Sequence, residues 1–305
     1  MKRDALEIDF LGIKMKTPVM TGSGTFGYGP EYSDYVDPNK IGAVVVKGIT
    51  PKPRAGNKGC RIAETPSGML NCIGLENPGV DEFIKTTLPQ IEGYKAPIIV
   101  NVSANSVKEY GEMAAKLSLP QIAALEINIS CPNLESGGML FGADCAVASD
   151  VVREVRKNTK LPIITKMTPN VTDIVTIAKA LEDAGSDALS LINTLLGMAI
   201  DTRTWKPVLG NITGGLSGPA VKPVAVRMVY QVAKAVKIPI VGMGGIMTGQ
   251  DAVEFMLAGA SAVSIGTANF VNPRAAETVA DEIRTYLAER NLSHVSELVG
   301  KVNLA

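Results

Sequence analysis

Histidine is almost missing from this chain: His294 is the single one in 305 residues. A Ser-His-Asp hydrolase would have to take its base from the C-terminal stretch 291-NLSHVSEL-298, where surface placement or packing is the ordinary role. Cysteine is scarce too. Cys60, Cys72, Cys131 and Cys145 form no C-x-x-C pair, which argues against a zinc site, an iron–sulfur cluster or a disulfide framework and suits a reducing cytoplasm. Net charge is absent, with 30 Lys+Arg against 30 Asp+Glu, so nucleic acid and anionic membranes find no electrostatic footprint. The longest apolar tract, 188-ALSLINTLLGMAI-200, is interrupted by Asn193 and Thr194 and is too short to span a bilayer. The opening MKRDALEIDF shows no apolar signal segment.

What the chain does have is glycine, 30 residues of it, and a hydrophobic content of 46%, enough for a large core. The stretch 21-TGSGTFG-27 contains G-x-G-x-x-G, the spacing of a dinucleotide-binding loop. That fingerprint requires a long helix directly after the glycines. Here 28-YGPEYSDYVDPNK-40 follows, and Gly29, Pro30 and Pro38 break any such helix. These glycines must serve another purpose.

Eight short runs rich in Val, Ile and Leu recur along the chain: 17–23, 42–48, 97–103, 124–130, 162–167, 187–193, 239–245 and 262–268. Amphipathic segments separate most of them. Ser106 and Glu109 form a capping box ahead of Tyr110, Met113, Ala114 and Leu117. Ile174, Ile177, Ala178 and Leu181 make a second stripe, stopped by Gly185; Val221, Val224, Ala225, Met228, Val229 and Val232 make a third. Thr248 and Asp251 cap a fourth helix that ends at Gly259. This alternation predicts a (β/α)₈ TIM barrel, with residues 1–305 as one domain, and a doubly wound sheet as the main competitor. The surplus length falls in an N-terminal segment, an insertion over 49–96 and a C-terminal helix.

Barrel chemistry sits at the C-terminal ends of the strands. Those ends read Ser23, Lys47, Asn101, Asn128, Lys166, Asn193, Gly244–Gly245 and Gly266–Thr267. Polar residues and glycines also simply end strands, but eight repetitions, two of them lysines, point to a lined pocket. The glycines of 242-GMGGIMTG-249 and 265-IGT-267 allow close backbone approach, and the helix starting near Thr248 would aim its positive end at them. A phosphorylated ligand with a flat ring is expected, and 214-GGLSG-218 would close over it. Alternation in 126-EINISCPN-133 places Glu126, Asn128 and Ser130 on one face; Pro132 turns the chain out of the sheet, which would swing Cys131 over the mouth. A tuned thiol there is a candidate proton acceptor, and a buried structural cysteine is the other reading. The glycines of 136-SGGMLFG-142, just beyond, suit a mobile lid.

The set TGSGTFG, 47-KGITPKPRAGN-57, 71-NCIGLENPG-79, 126-EINISCPN-133, 193-NT-194, 242-GMGGI-246 and 265-IGT-267 resembles dihydroorotate dehydrogenase, class 1, of the NAD-linked type, in its FMN-containing catalytic subunit. The similarity runs over nearly the whole chain, in order. It implies oxidation of dihydroorotate to orotate in pyrimidine biosynthesis. Cys131 matches the base that takes the C5 proton, while FMN receives the C6 hydride. Lys47, Asn71, Cys72, Ile73, Gly74, Leu75, Asn128, Asn193 and Thr194 match substrate-binding positions. Ser23, Lys47, Gly48, Asn101, Asn128, Lys166, Ile192, Gly218, Gly244, Gly245, Gly266 and Thr267 match FMN-binding positions.

No metal site is implied. A partner subunit carrying FAD and a 2Fe-2S cluster is implied, in a heterotetramer built on a catalytic homodimer, without membrane or nucleic acid. One departure is 57-NKGCRI-62, where relatives often carry proline before the arginine. The nearest rival is the fumarate-linked class 1 enzyme, which works alone; a dihydropyrimidine dehydrogenase subunit is more distant. From other classes come a Schiff-base aldolase using Lys166 and a non-catalytic flavin-binding protein.

Overall fold

In this computed structural model, residues 4–130, 132–133 and 139–304 are described; Cys131 and 134–138 lie outside them. All eight apolar runs form strands of one parallel sheet: β1 (Val19–Thr21), β2 (Val44–Ile49), β3 (Ile98–Val102), β4 (Ala124–Asn128), β5 (Ile163–Lys166), β6 (Ala188–Leu191), β7 (Ile240–Met243) and β8 (Ala262–Ile265). Nearly every residue in them is buried, because helices cover one face and the barrel interior the other. Such strands read as continuous apolar runs, which is why the sequence marks them.

The sheet order is β1-β8-β7-β6-β5-β4-β3-β2, and the barrel closes between the two ends. Gly42 N–H donates to Val19 O at 2.8 Å, and Thr21 N–H donates to Ala43 O at 3.2 Å. The Thr21 hydroxyl finishes the seam by donating to Val45 O at 3.2 Å and accepting from Val45 N–H at 2.9 Å. A side chain thus replaces ladder bonds that two short strands do not reach. The result is a (β/α)₈ barrel.

The segment after β1 makes only short 3₁₀ turns, Pro30–Tyr32 and Pro38–Lys40, as its proline and glycine content predicts. Outer helices follow the other strands: α1 (Val107–Lys116), α2 (Cys145–Asn158), α3 (Ile174–Asp183), α4 (Lys222–Ala233), α5 (Gly249–Ala258) and α6 (Ala275–Glu289). The predicted stripes face inward; Ile177, Leu181, Val229 and Val232 are all buried. Each such side chain contributes about 1.5–3 kcal/mol. Asp173 caps α3, while the Thr248–Asp251 capping box and Gly259 at φ 124° bracket α5.

Two expectations change. At α1, Ser106 accepts from Glu109 N–H, but the Glu109 carboxylate turns to Asn105, taking its backbone and side-chain N–H groups at 2.9 Å each, so only half the box forms. The region 49–96 is more than an insertion, since Val80–Glu82, Phe83–Thr87 and Leu88–Ile91 supply the helical layer between β2 and β3.

A four-stranded antiparallel sheet, absent from the sequence reading, joins three distant segments. Its order is Leu195–Met198, Thr213–Ser217, Gly68–Asn71, Ile62–Thr65. His294 caps the 3₁₀ turn Val295–Leu298, accepting Ser296 N–H at Nδ1 (3.2 Å) and placing Nε2 2.9 Å from Glu7 O. The carbonyl only accepts, so Nε2 carries the proton, and the residue's role is packing. Among the described residues, no helix is long and apolar enough to cross a membrane.

Candidate active site

Above the strand ends lies a cavity of about 750 Å³, within the range that holds a cofactor-sized ligand. Every site residue predicted from sequence lines it except Cys131, which falls outside the described residues. Strand tips supply Ser23, Lys47, Gly48, Asn101, Asn128, Lys166, Ile192, Asn193, Thr194, Gly244, Gly245, Gly266 and Thr267. The antiparallel sheet supplies the rest: its strand Gly68–Asn71 runs into Cys72–Leu75, and its strand Thr213–Ser217 runs into Gly218. Sequence reasoning missed Arg54, Asn57 and Met247, which also line the cavity.

The opening TGSGTFG loop lies against β8. Gly22 N–H donates to Ile265 O at 2.6 Å, and a Cβ at Gly22 would sit 2.9 Å from that oxygen, so glycine is required for the approach. Ser23 is thereby placed where its hydroxyl accepts from Lys166 Nζ at 3.0 Å. Lys166 is only 7% exposed, and its other polar neighbour is Glu126, with Nζ 3.9 Å from Oε2. Lys47 is different. Its backbone N–H is fixed by Gly27 O at 2.8 Å, yet among the described residues its ammonium has no carboxylate in ion-pair range. The remaining charged groups of the lining are engaged: Glu76 pairs with Arg61 at 2.6 Å, and an Arg54 guanidinium nitrogen donates to Asn105 Oδ1. A half-buried cation with no carboxylate beside it among the described residues favours an anionic ligand.

Amide groups around the cavity are oriented by the protein. Tyr110, on the buried face of α1, donates to Asn128 O at 2.7 Å and anchors the end of β4. Asn128 Oδ1 accepts from Ser130 N–H at 3.1 Å and from Asn193 Nδ2 at 3.4 Å, which turns the Asn128 NH₂ away, with no acceptor for it among the described residues. Asn193 Oδ1 is occupied by Thr194 N–H at 2.8 Å. Asn71 Nδ2 reaches Gly215 O at 3.4 Å, and Asn57 Nδ2 holds Cys72 O at 3.0 Å, so the 71–75 loop is pinned from both sides. Arg61 tightens the same loop region through Asn57 O at 2.7 Å, giving the departure at 57–62 a defined shape. Ser130 Oγ is buried with no partner among the described residues.

The N-terminus of α5 does not offer its amides to the glycine loops as expected. Met247 and Thr248 N–H groups both donate to Asp251 Oδ2 at 2.9 Å, and Gly249 N–H goes to Glu282. Burial disfavours the Asp251 carboxylate, but hydrogen bonds from Lys222 and from these amides outweigh it and hold its pKa below the usual value. The short helix Ala268–Val271 after β8 has no side-chain cap at Thr267, and Thr267 and Ala268 line the cavity. Thr267 Oγ1 bonds Ser217 Oγ at 2.7 Å, tying β8 to the antiparallel sheet.

A profile of dihydroorotate dehydrogenases matches residues 5–287. The chain belongs to the dihydroorotate dehydrogenase family. It is 57% identical to the dihydroorotate dehydrogenase B (NAD(+)) catalytic subunit of Geobacter sp. (strain M21), over all of both chains. Identity to the same-named protein of Citrifermentans bemidjiense is also 57%, again over both full lengths. The Alkaliphilus metalliredigens protein of that name is 54% identical over 99% of this chain and 100% of its own. With family membership established, the cavity is the place to test for the family's flavin. The residues fit. A Cβ at Gly266 would meet no protein atom within 4 Å, so this bare backbone keeps cavity space open, and the lining carries the buried cation Lys166.

Proposed function

We propose that residues 1–305 act as one FMN-binding domain that oxidises dihydroorotate to orotate in pyrimidine biosynthesis, in the cytoplasm. The observation that carries this is the joint lining of one cavity by two lysines and a ring of oriented amides, in a chain full-length similar to dihydroorotate dehydrogenase B catalytic subunits. FMN, when bound, supplies the acceptor for the hydride leaving C6 of the substrate.

The chain's own residues do the rest. Ser23, Gly48, Asn101, Lys166, Ile192, Gly218, Gly244, Gly245, Gly266 and Thr267 would hold the flavin. Lys47, whose ammonium has no carboxylate in ion-pair range among the described residues, would take the substrate carboxylate. Asn71, Asn128, Asn193 and Thr194 would hydrogen-bond the pyrimidine ring, Asn128 as a donor because its Oδ1 is already filled. Cys72, Ile73, Gly74 and Leu75 would wall the ring in. Cys131 would remove the C5 proton; this role rests on the sequence motif.

Electrons would leave to NAD through a second subunit carrying FAD and a 2Fe-2S cluster, in a heterotetramer built on a catalytic homodimer. Support for that arrangement comes from the names of the relatives, which specify NAD(+) and a catalytic subunit. The deciding experiment is an anaerobic visible spectrum of the purified chain before and after dihydroorotate. Bleaching of a flavin band is expected. A flavin band that dihydroorotate leaves unchanged would overturn the reductive half-reaction, and a colourless protein that takes up no FMN would overturn the cofactor assignment.

A further inference from the structure

Glu126 is the one carboxylate among the described residues that packs into the barrel interior beside the cavity floor, and it is 3% exposed. Parallel register brings it level with Asn101 on β3 and Ile164 on β5. Its Oε2 accepts from Asn101 Nδ2 at 2.6 Å and its Oε1 from Ser190 Oγ on β6 at 2.9 Å. Lys166 Nζ stands 3.9 Å from Oε2. Glu126 itself does not line the cavity, whereas Asn101 and Lys166 do.

An ionised carboxylate only accepts hydrogen bonds. Asn101 must therefore turn its NH₂ toward Glu126, which leaves its carbonyl oxygen on the side of Gly48, where a Cβ would lie 2.8 Å from it. The floor then offers an acceptor, Asn101 Oδ1, and a charged donor, Lys166 Nζ, on the two strands that flank β4. A ring edge with an N–H beside a carbonyl satisfies both. The charge matters as much as the orientation: a buried ammonium and carboxylate a few ångströms apart cancel much of each other's field.

We propose that Glu126 is a positioning residue that acts through Asn101 and Lys166. It holds the Asn101 carbonyl toward the ligand, and it offsets the Lys166 charge so that only part of that field reaches the bound ring system. The proposal rests on reading the cavity as a flavin site.

The test is the reduction potential and FMN affinity of Glu126→Gln. Glutamine keeps both hydrogen bonds, its carbonyl accepting from Asn101 and its amide donating to Ser190, so only the charge is deleted. With Lys166 no longer offset, the reduced, more negative flavin should gain at least tenfold in relative affinity over the oxidised form, which for a two-electron couple is about 30 mV upward. Glu126→Asp, which keeps the charge, should stay within threefold of wild type. A Glu126→Gln potential equal to wild type overturns the proposal, and so does an equal rise in Glu126→Asp. If Glu126→Gln does not fold, the double variant with Lys166→Met leaves neither charge unpaired and should fold; a double variant as unstable as the single one also overturns it. Failure of the flavin reading looks different, because wild-type protein would then bind no FMN at all.

Discussion

Gly266→Ala separates the protein's own packing from room reserved for a ligand. A Cβ at this position meets no protein atom within 4 Å, and its backbone is outside the left-handed region. Alanine there restricts the unfolded chain without straining the folded one, a gain of about 0.4–1 kcal/mol. The methyl enters the cavity, where it would overpack a bound flavin at a cost of about 1–3 kcal/mol. At about 1.4 kcal/mol per decade, FMN binding should weaken roughly fivefold to 150-fold.

Gly245→Ala is the contrast. Its φ is 77°, and the added carbon would lie 2.8 Å from both Gly218 O and Lys222 Cβ, so the apoprotein itself should lose about 1–3 kcal/mol. Denaturant unfolding of the flavin-free protein, paired with a fluorescence titration of FMN, reads both quantities. Wild-type FMN affinity in Gly266→Ala, or a loss of apoprotein stability there, would refute the reasoning.

Cys131→Ser should slow flavin reduction by dihydroorotate by orders of magnitude at neutral pH while FMN stays bound, since a serine hydroxyl is a far weaker base; stopped-flow bleaching at unchanged speed would remove Cys131 from the mechanism. Lys47→Ala should raise the orotate dissociation constant about tenfold or more through loss of its charge-assisted bond, and a calorimetric titration giving the wild-type value would contradict the assignment. Asp251→Asn should cost about 1–2 kcal/mol at neutral pH, because it weakens the cap of α5 and the 2.6 Å pair with Lys222. The Asp251 pKa is lowered in the fold, so its contribution is complete above the unfolded value of 3.8 and disappears as pH falls through the folded value below it. The stability gap between wild type and Asp251→Asn should therefore be constant near neutrality and close below pH 3.8; a gap that persists there would show that charge is not its source.

The barrel was legible because strands buried on both faces must be apolar throughout, as in Val44–Ile49 and Ile98–Val102. Strand-tip residues such as Lys47, Asn128 and Lys166 were legible for the converse reason, as polar groups that end apolar runs. The antiparallel sheet was not. Its strands are four or five residues of mixed burial, glycine-rich at 214–215, and the pairing that joins its two halves is between residues far apart in sequence, as Asn71 is from Gly215. Glu126 was placed on the correct face by alternation, but its partners lie on three other strands, and no local pattern announces Asn101, Lys166 and Ser190 together. The α5 amides were misjudged because a helix start looks open in sequence until the side chains that close it, Asp251 and Glu282, are in place.

The strand pairing of Gly68–Asn71 with Thr213–Ser217 joins the residues expected around the pyrimidine to Gly218, expected at the flavin. A one-residue slip in that pairing would displace Gly218 and the 71–75 loop at once, so the two halves of the pocket share a single mechanical reference. Evolutionary tailoring of one ligand's grip must then preserve the register of the other's.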